Sequence, residues 1–250
     1  MADGAVQTVE LAVVIRGAVP HGAVTHARHK IDRLIRRAGL PVLFGRVELL
    51  HHENPAVERP AVVKVTLDVA GRLLRAHRAA PSFREAVDLT EERLAERIRH
   101  LHERRQTHGQ PAPEPGGWRH AAPPTVRPAF FPRPPQERQV MRRKALPLGE
   151  RTADEAAYDM ELLDHDFHLF RELGVAGDSL LVRDNGRYRM LRTGDEAVPE
   201  LDAEEAVEWI EAAGDRFVFF RDRATGRGQA LYRRYDGHYG LIEPAAEPGG

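Results

Sequence analysis

Apolar and polar residues alternate along Ala61–Val69, where Val63, Val65, Leu67 and Val69 are separated by Lys64, Thr66 and Asp68. A period of two puts the four apolar side chains on one face of a strand. The apolar run 9–15 and the stretch 42–50 read as further strands, and Gly71 turns the chain into another over 72–77. Elsewhere the period changes. Over 21–38, Ala27, Ile31, Leu34 and Ala38 recur at helical spacing, and Gly39 stops the element. Ser82, with Glu85 three residues on as a capping box, opens a long final helix whose apolar stripe is Phe83, Val87, Leu94, Ile98 and Leu101. The order β-α-β-β-β-α predicts an α+β domain over 1–105, an antiparallel-rich sheet with both helices on one face.

Half of the 18 prolines then fall in residues 106–137. Proline lacks an amide donor and glycine is entropically costly to order, so this stretch predicts a flexible linker. As a coil it spans roughly 30 Å, and as polyproline II up to about 100 Å. Trp118, Phe130 and Phe131 interrupt its polarity and are candidates to dock on a surface.

Behind the linker the chain repeats itself. Asp154-Glu155-Ala156 recurs as Glu204-Glu205-Ala206, and Phe167-His168-Leu169-Phe170-Arg171 as Phe217-Val218-Phe219-Phe220-Arg221, at a gapless offset of 50. Leu181-Val182-Arg183 matches Leu231-Tyr232-Arg233 before a one-residue slip pairs Gly186-Arg187-Tyr188 with Gly237-His238-Tyr239. Two tandem small α+β repeats are predicted, 138–194 and 195–250, each a helix opened by an acidic turn and followed by three short strands. About fifty residues bury little core alone, so each repeat needs the other or a partner.

The net charge of −1 hides opposite signs. Residues 1–105 carry 18 Lys+Arg against 13 Asp+Glu, 106–150 carry 7 against 3, and 151–250 carry 12 against 22. A basic front suits a polyanion, and an acidic back suits something else. Arginine supplies nearly every base, and its guanidinium grips phosphate in a fork that lysine lacks. The absence of cysteine fits a reducing compartment and leaves no thiolate chemistry. The longest apolar run is too short to span a bilayer, so no membrane association is expected and the cytoplasm is the expected location.

The second repeat ends in Tyr232-Arg233-Arg234-Tyr235-Asp236-Gly237-His238-Tyr239-Gly240-Leu241-Ile242-Glu243-Pro244. With Phe217-Val218-Phe219-Phe220, this resembles the C-terminal domain of long-type ribosome hibernation promoting factors, of the ribosome-associated inhibitor and sigma-54 modulation protein family. Met141-Arg142-Arg143-Lys144 and 158–170 resemble the start of the same domain, and Ala86-Val87-Asp88-Leu89 with Arg93-Leu94 resembles the last helix of the family's N-terminal domain. Two C-terminal units in one chain, the first with Val182-Arg183-Asp184-Asn185-Gly186, resemble the family's dormancy-associated variants. The resemblance implies a translation inhibitor that binds the small ribosomal subunit, 16S rRNA and ribosomal proteins, in the decoding channel. It also implies that idle ribosomes are protected in stress or dormancy by excluding messenger and transfer RNA.

The residues expected to meet rRNA lie off the apolar stripes of the two helices: Arg28, Lys30, Arg33, Arg36 and Arg37 on the first, and Arg84, Arg93, Arg97, Arg104 and Arg105 on the last. The competing reading is a solvated helix face with intrahelical ion pairs. Phe167, Phe170, Phe217, Phe219, Tyr232 and Tyr239 are expected at an interface between the repeats, or between two copies of the chain. Pairing within the chain would bury Phe167 and Phe170 beside Phe217 and Phe219, and keep ribosomes single. Of the 13 histidines, neither His26 with His29, His51 with His52, nor His165 with His168 gathers a third ligand at metal spacing. The only serines are Ser82 and Ser179, so Asp164-His165-Asp166 is not half of a triad. No catalysis, cofactor, metal or small-molecule substrate is expected. A repressor of messages, a ribosome-pairing factor that dimerises between chains through its C-terminal repeats, and a protein-binding stress scaffold remain the rival functions.

Overall fold

The computed structural model describes residues 9–53, 57–106, 133–184 and 187–246. The linker core, including Trp118, Phe130 and Phe131, lies outside them. Two compact units form, one holding the N-terminal elements together with Glu161–Asp164, the other the remaining C-terminal elements.

In the first unit the elements are β1 (Leu11–Arg16), α1 (His21–Arg37), β2 (Val42–His51), β3 (Ala61–Val69), β4 (Arg72–Ala80) and α2 (Phe83–Gln106). The sheet order is β1-β2-β3-β4, parallel between β1 and β2 and antiparallel after that. Val63, Val65, Leu67 and Val69 are buried, as the alternation requires, and so are Ala27, Ile31 and Leu34 of α1 and all five residues of the α2 stripe, which belong to the hydrophobic core. Ala70 and Gly71 both take positive φ, +53° and +79°, the two-residue turn whose twist matches a hairpin. Ser82 Oγ accepts the Glu85 amide at the head of α2.

The second unit contains β5 (Val140–Leu146), β6 (Glu150–Arg151), α3 (Ala153–Leu162), β7 (Phe167–Glu172), β8 (Ser179–Asp184) and β9 (Arg187–Arg192). The second repeat adds β10 (Glu200–Leu201), α4 (Ala203–Ala213), β11 (Phe217–Asp222), β12 (Gly228–Arg233) and β13 (Tyr239–Pro244). They build two sheets, β6-β7-β8-β9 and β10-β11-β12-β13-β5. Met160 of α3 packs with Phe170 and Leu181, and Ile210 of α4 with Phe220, Leu231 and Tyr239. Leu169, Leu180 and Val182 of one sheet pack against Phe219 and Ala230 of the other. Phe167 stacks on Phe217 with ring centroids 5.7 Å apart and meets Tyr232 at 5.4 Å. Buried Asp178 receives Nε and Nη2 of Arg227, at 2.9 and 3.0 Å, and the Gly228 amide at 2.7 Å.

These contacts divide the expected aromatic set. Phe167, Phe217, Phe219 and Tyr232 lie where the repeats meet, whereas Phe170 and Tyr239 lie beneath the helices of their own repeats. Strand geometry explains the correction: Phe167 and Phe170 are three apart, and an odd spacing sends side chains to opposite faces. Leu169, Phe170's neighbour, takes the position between the sheets. The structure also adds β5, which the reading of three strands per repeat did not contain. Although it precedes the first repeat's helix, β5 runs parallel to β13 of the second repeat.

The duplication supplies an internal control on packing. A Cβ on Gly240 would sit 2.5 Å from Cζ of Tyr232, its partner across β12 and β13. In the first repeat the equivalent pair is Val182 and Arg189, a small residue opposite a large one. Gly240→Ala is therefore expected to cost about 1–3 kcal/mol through overpacking. Adding Tyr232→Val should recover most of that loss, as read by thermal unfolding of the two variants.

Candidate nucleic-acid interface

The two helices of the first unit run side by side over the same face of the sheet, and polar pairs line their seam. Lys30 Nζ lies 3.0 Å from Asp88 and 3.2 Å from Glu91, and His26 Nε2 is 3.2 Å from the same Asp88. Hydrogen bonding to Asp88 raises the Lys30 pKa, outweighing its desolvation. Burial pushes Asp88 up, but its bonds with Lys30 and His26 leave it below its ordinary value. Near the far end, His102 meets the carbonyl of Ala38 at 2.6 Å. Lys30 is thus held in a structural pair between helices.

Arg28, Arg36 and Arg37 of α1 and Arg84 of α2 are exposed, and Arg33 is half-buried. These five present guanidinium along the outer helical layer, the disposition that phosphate neutralisation needs. The Arg104 and Arg105 side chains lie outside the described residues. Arg99, absent from the expected set, is also exposed on α2. Its signal was the spacing: it stands one position past Ile98, outside the buried stripe.

Arg93 and Arg97 depart from the expectation. They are 8% and 2% exposed, respectively. Arg93 Nη1 pairs with Glu96. Arg97 donates Nη1 to the carbonyl of Arg75 on β4 and Nη2 to Asp164 at 2.5 Å, and burial pulls its guanidinium down to about 10 despite the charge of Asp164. A helix packed against both a sheet and a second helix buries more than one narrow stripe. Positions 93 and 97, a turn apart and each one residue before Leu94 or Ile98, fall inside that broader face. Among the described residues no helix is long and apolar enough to cross a membrane.

Comparison with known proteins gives this geometry a family context. The model of the sigma 54 modulation protein / S30EA ribosomal protein family matches residues 18–106, and the model of the sigma 54 modulation/S30EA ribosomal protein C terminus matches twice, over 135–190 and 185–241. A dormancy associated translation inhibitor of Mycobacterium tuberculosis (strain ATCC 25618 / H37Rv) is 32% identical over 45% of this chain and 50% of its own length. A ribosome hibernation promotion factor of Staphylococcus aureus (strain COL) is 30% identical over 44% and 55%, and one from M. tuberculosis (strain ATCC 25618 / H37Rv) is 29% identical over 66% and 81%. The chain thus spans about half the length of the first two relatives. Among solved structures, the Thermus thermophilus protein Y N-terminal domain matches 37% of this chain and 99% of its own, with 17% identity and a TM-score of 0.31.

Proposed function

Because the chain belongs to the sigma 54 modulation/S30EA ribosomal protein family, with one N-terminal domain and two copies of the C-terminal domain, we propose that it is a non-enzymatic ribosome hibernation factor. It binds the small subunit in the decoding channel, excludes messenger and transfer RNA, and silences idle ribosomes in the cytoplasm. The observation that carries the reading is the outer layer of Arg28, Arg36, Arg37, Arg84 and Arg99 on a rigid pair of helices. Their exposure leaves the guanidinium groups available to phosphate, and the rigid seam beneath fixes their spacing. Relatives carrying hibernation and translation-inhibitor names support the same conclusion.

The second unit completes the proposal. Each repeat is too small to bury its aromatic strands alone, and the tether holds the two at high effective concentration. With Phe167 against Phe217 and the apolar faces in contact, the repeats act as a dimer contained within one chain. The factor accordingly keeps ribosomes single.

Sucrose-gradient sedimentation of the purified protein with intact ribosomes and separated subunits tests the whole reading. The protein should travel with the small subunit and with single ribosomes, and should inhibit translation in a purified system. Protein remaining at the top of the gradient at low salt would defeat the ribosome assignment; a peak of paired ribosomes would defeat the contained dimer.

A further inference from the structure

The two C-terminal repeats end their helices differently at one matched position. At the end of α4 stands Gly214 in the left-handed region, φ +68°. Fifty residues earlier, at the end of α3, stands Asp164 with φ +54°. The turn there is a Schellman motif, with the Asp164 amide donating to Glu161 and the His165 amide to Met160. That motif favours glycine, and a side chain in this conformation strains the backbone. Something must offset the cost.

The offset is a cradle of donors in the first unit, to which Glu161–Asp164 belongs. One oxygen of Asp164 takes Nη2 of Arg97 at 2.5 Å. The other takes the His77 backbone amide at 2.9 Å and Nη1 of Arg78 at 3.4 Å. Asp164 is 3% exposed, and Arg97 Nε is buried with no hydrogen-bond partner. One nitrogen from each of two arginines and a backbone amide converge on one anion, the donor set that an oxyanion needs. The donor left over on Arg97 is one that a carboxylate with two oxygens does not reach.

We propose that Arg78, Arg97 and the His77 amide form a binding site for an RNA phosphodiester, and that Asp164 occupies it as a built-in substitute until RNA displaces it. The proposal deepens the reading of the first unit as an rRNA-binding domain and rests on it. It also gives a use to Arg97, which is buried away from the outer layer while Asp164 is seated. Phosphate contacts add to affinity with a salt dependence proportional to their number, so the seated carboxylate withholds one or two such contacts.

Asp164→Gly is the informative variant, because it installs the residue found at the matched position of α4 and relieves the backbone. Buried Arg97 then lacks its carboxylate partner, and the cradle becomes open to RNA. Binding to purified small subunits should tighten roughly tenfold, with a log–log salt slope steeper by about one to two. Adding Arg97→Gln should cancel both changes. In the unaltered protein, amide exchange across Glu161–Asp164 should accelerate when small subunits are added. Unchanged or weaker binding by a folded Asp164→Gly variant would overturn the proposal, as would exchange in that segment that is unchanged or slowed by subunits. If Arg28→Glu with Arg36→Glu leaves small-subunit binding intact, the interface reading itself fails; if that pair abolishes binding while Asp164→Gly is silent, only the displaced-anion site fails.

Discussion

Arg28→Glu combined with Arg36→Glu should weaken association with small ribosomal subunits by about two orders of magnitude. Both side chains are exposed on α1, two helical turns apart, so the substitutions remove charge without removing core. A charged hydrogen bond is worth about 1.5–3 kcal/mol, and two lost contacts at the lower end of that range amount to roughly a hundredfold before repulsion by the new carboxylates is counted. The log–log salt slope should flatten by about two, one unit for each phosphate released. Circular dichroism and thermal unfolding should match the parent protein. Association and slope that both stay unchanged would remove α1 from the interface. The same reversal at Arg93 would be a poor test: that residue is 8% exposed and bonded to Glu96, so a loss of binding there would report damaged packing.

Much of this was legible in the chain itself, and what was hidden has a common physical cause. The strand over Ala61–Val69 matched its alternation residue for residue, and the five apolar residues of α2 are all buried, because period and face are local properties. The acidic start of α4 appears as a capping box between Asp202 and Glu205. Partners far away in the chain were not legible. Arg97 looked like an exposed cation on a helix because the carboxylate that binds it lies 67 residues later. Phe170 was grouped with Phe167 by repeat alignment, although strand parity places them on opposite faces. In β5, Val140–Leu146, three consecutive basic residues masked a strand whose partner is β13, about a hundred residues on. Local patterns set which face an element buries, and only the assembled topology sets what it meets.

The largest effect on assembly should come from Phe219→Asp. Phe219 is 3% exposed and lies among Leu169, Leu180, Val182 and Ala230, where the two sheets pack. Removing a buried phenyl ring costs about 3–5 kcal/mol, and an unpaired carboxylate in the same place adds its own desolvation. The two repeats should then separate and expose the faces that each now hides in the other. Exposed apolar strand faces of this size seek a partner, so the variant should associate between chains or aggregate in light scattering. The parent protein should stay monomeric from roughly 1 to 50 μM, because a tether supplies an effective concentration in the millimolar range. The two C-terminal sheets are unequal. One sheet has β5 as a fifth strand beside β13, and the other ends at β9 with four. The positively charged β9, with Arg187 and Arg189 exposed, resists pairing with a copy of itself, because like charges would face each other across the ladder. Arg187→Thr with Arg189→Val removes that protection at two exposed positions. This variant should acquire a concentration-dependent dimer where the parent has none. A parent protein that dimerises at micromolar concentration, and whose dimer persists unchanged in both variants, would show that neither the contained pairing nor the charged edge governs its assembly.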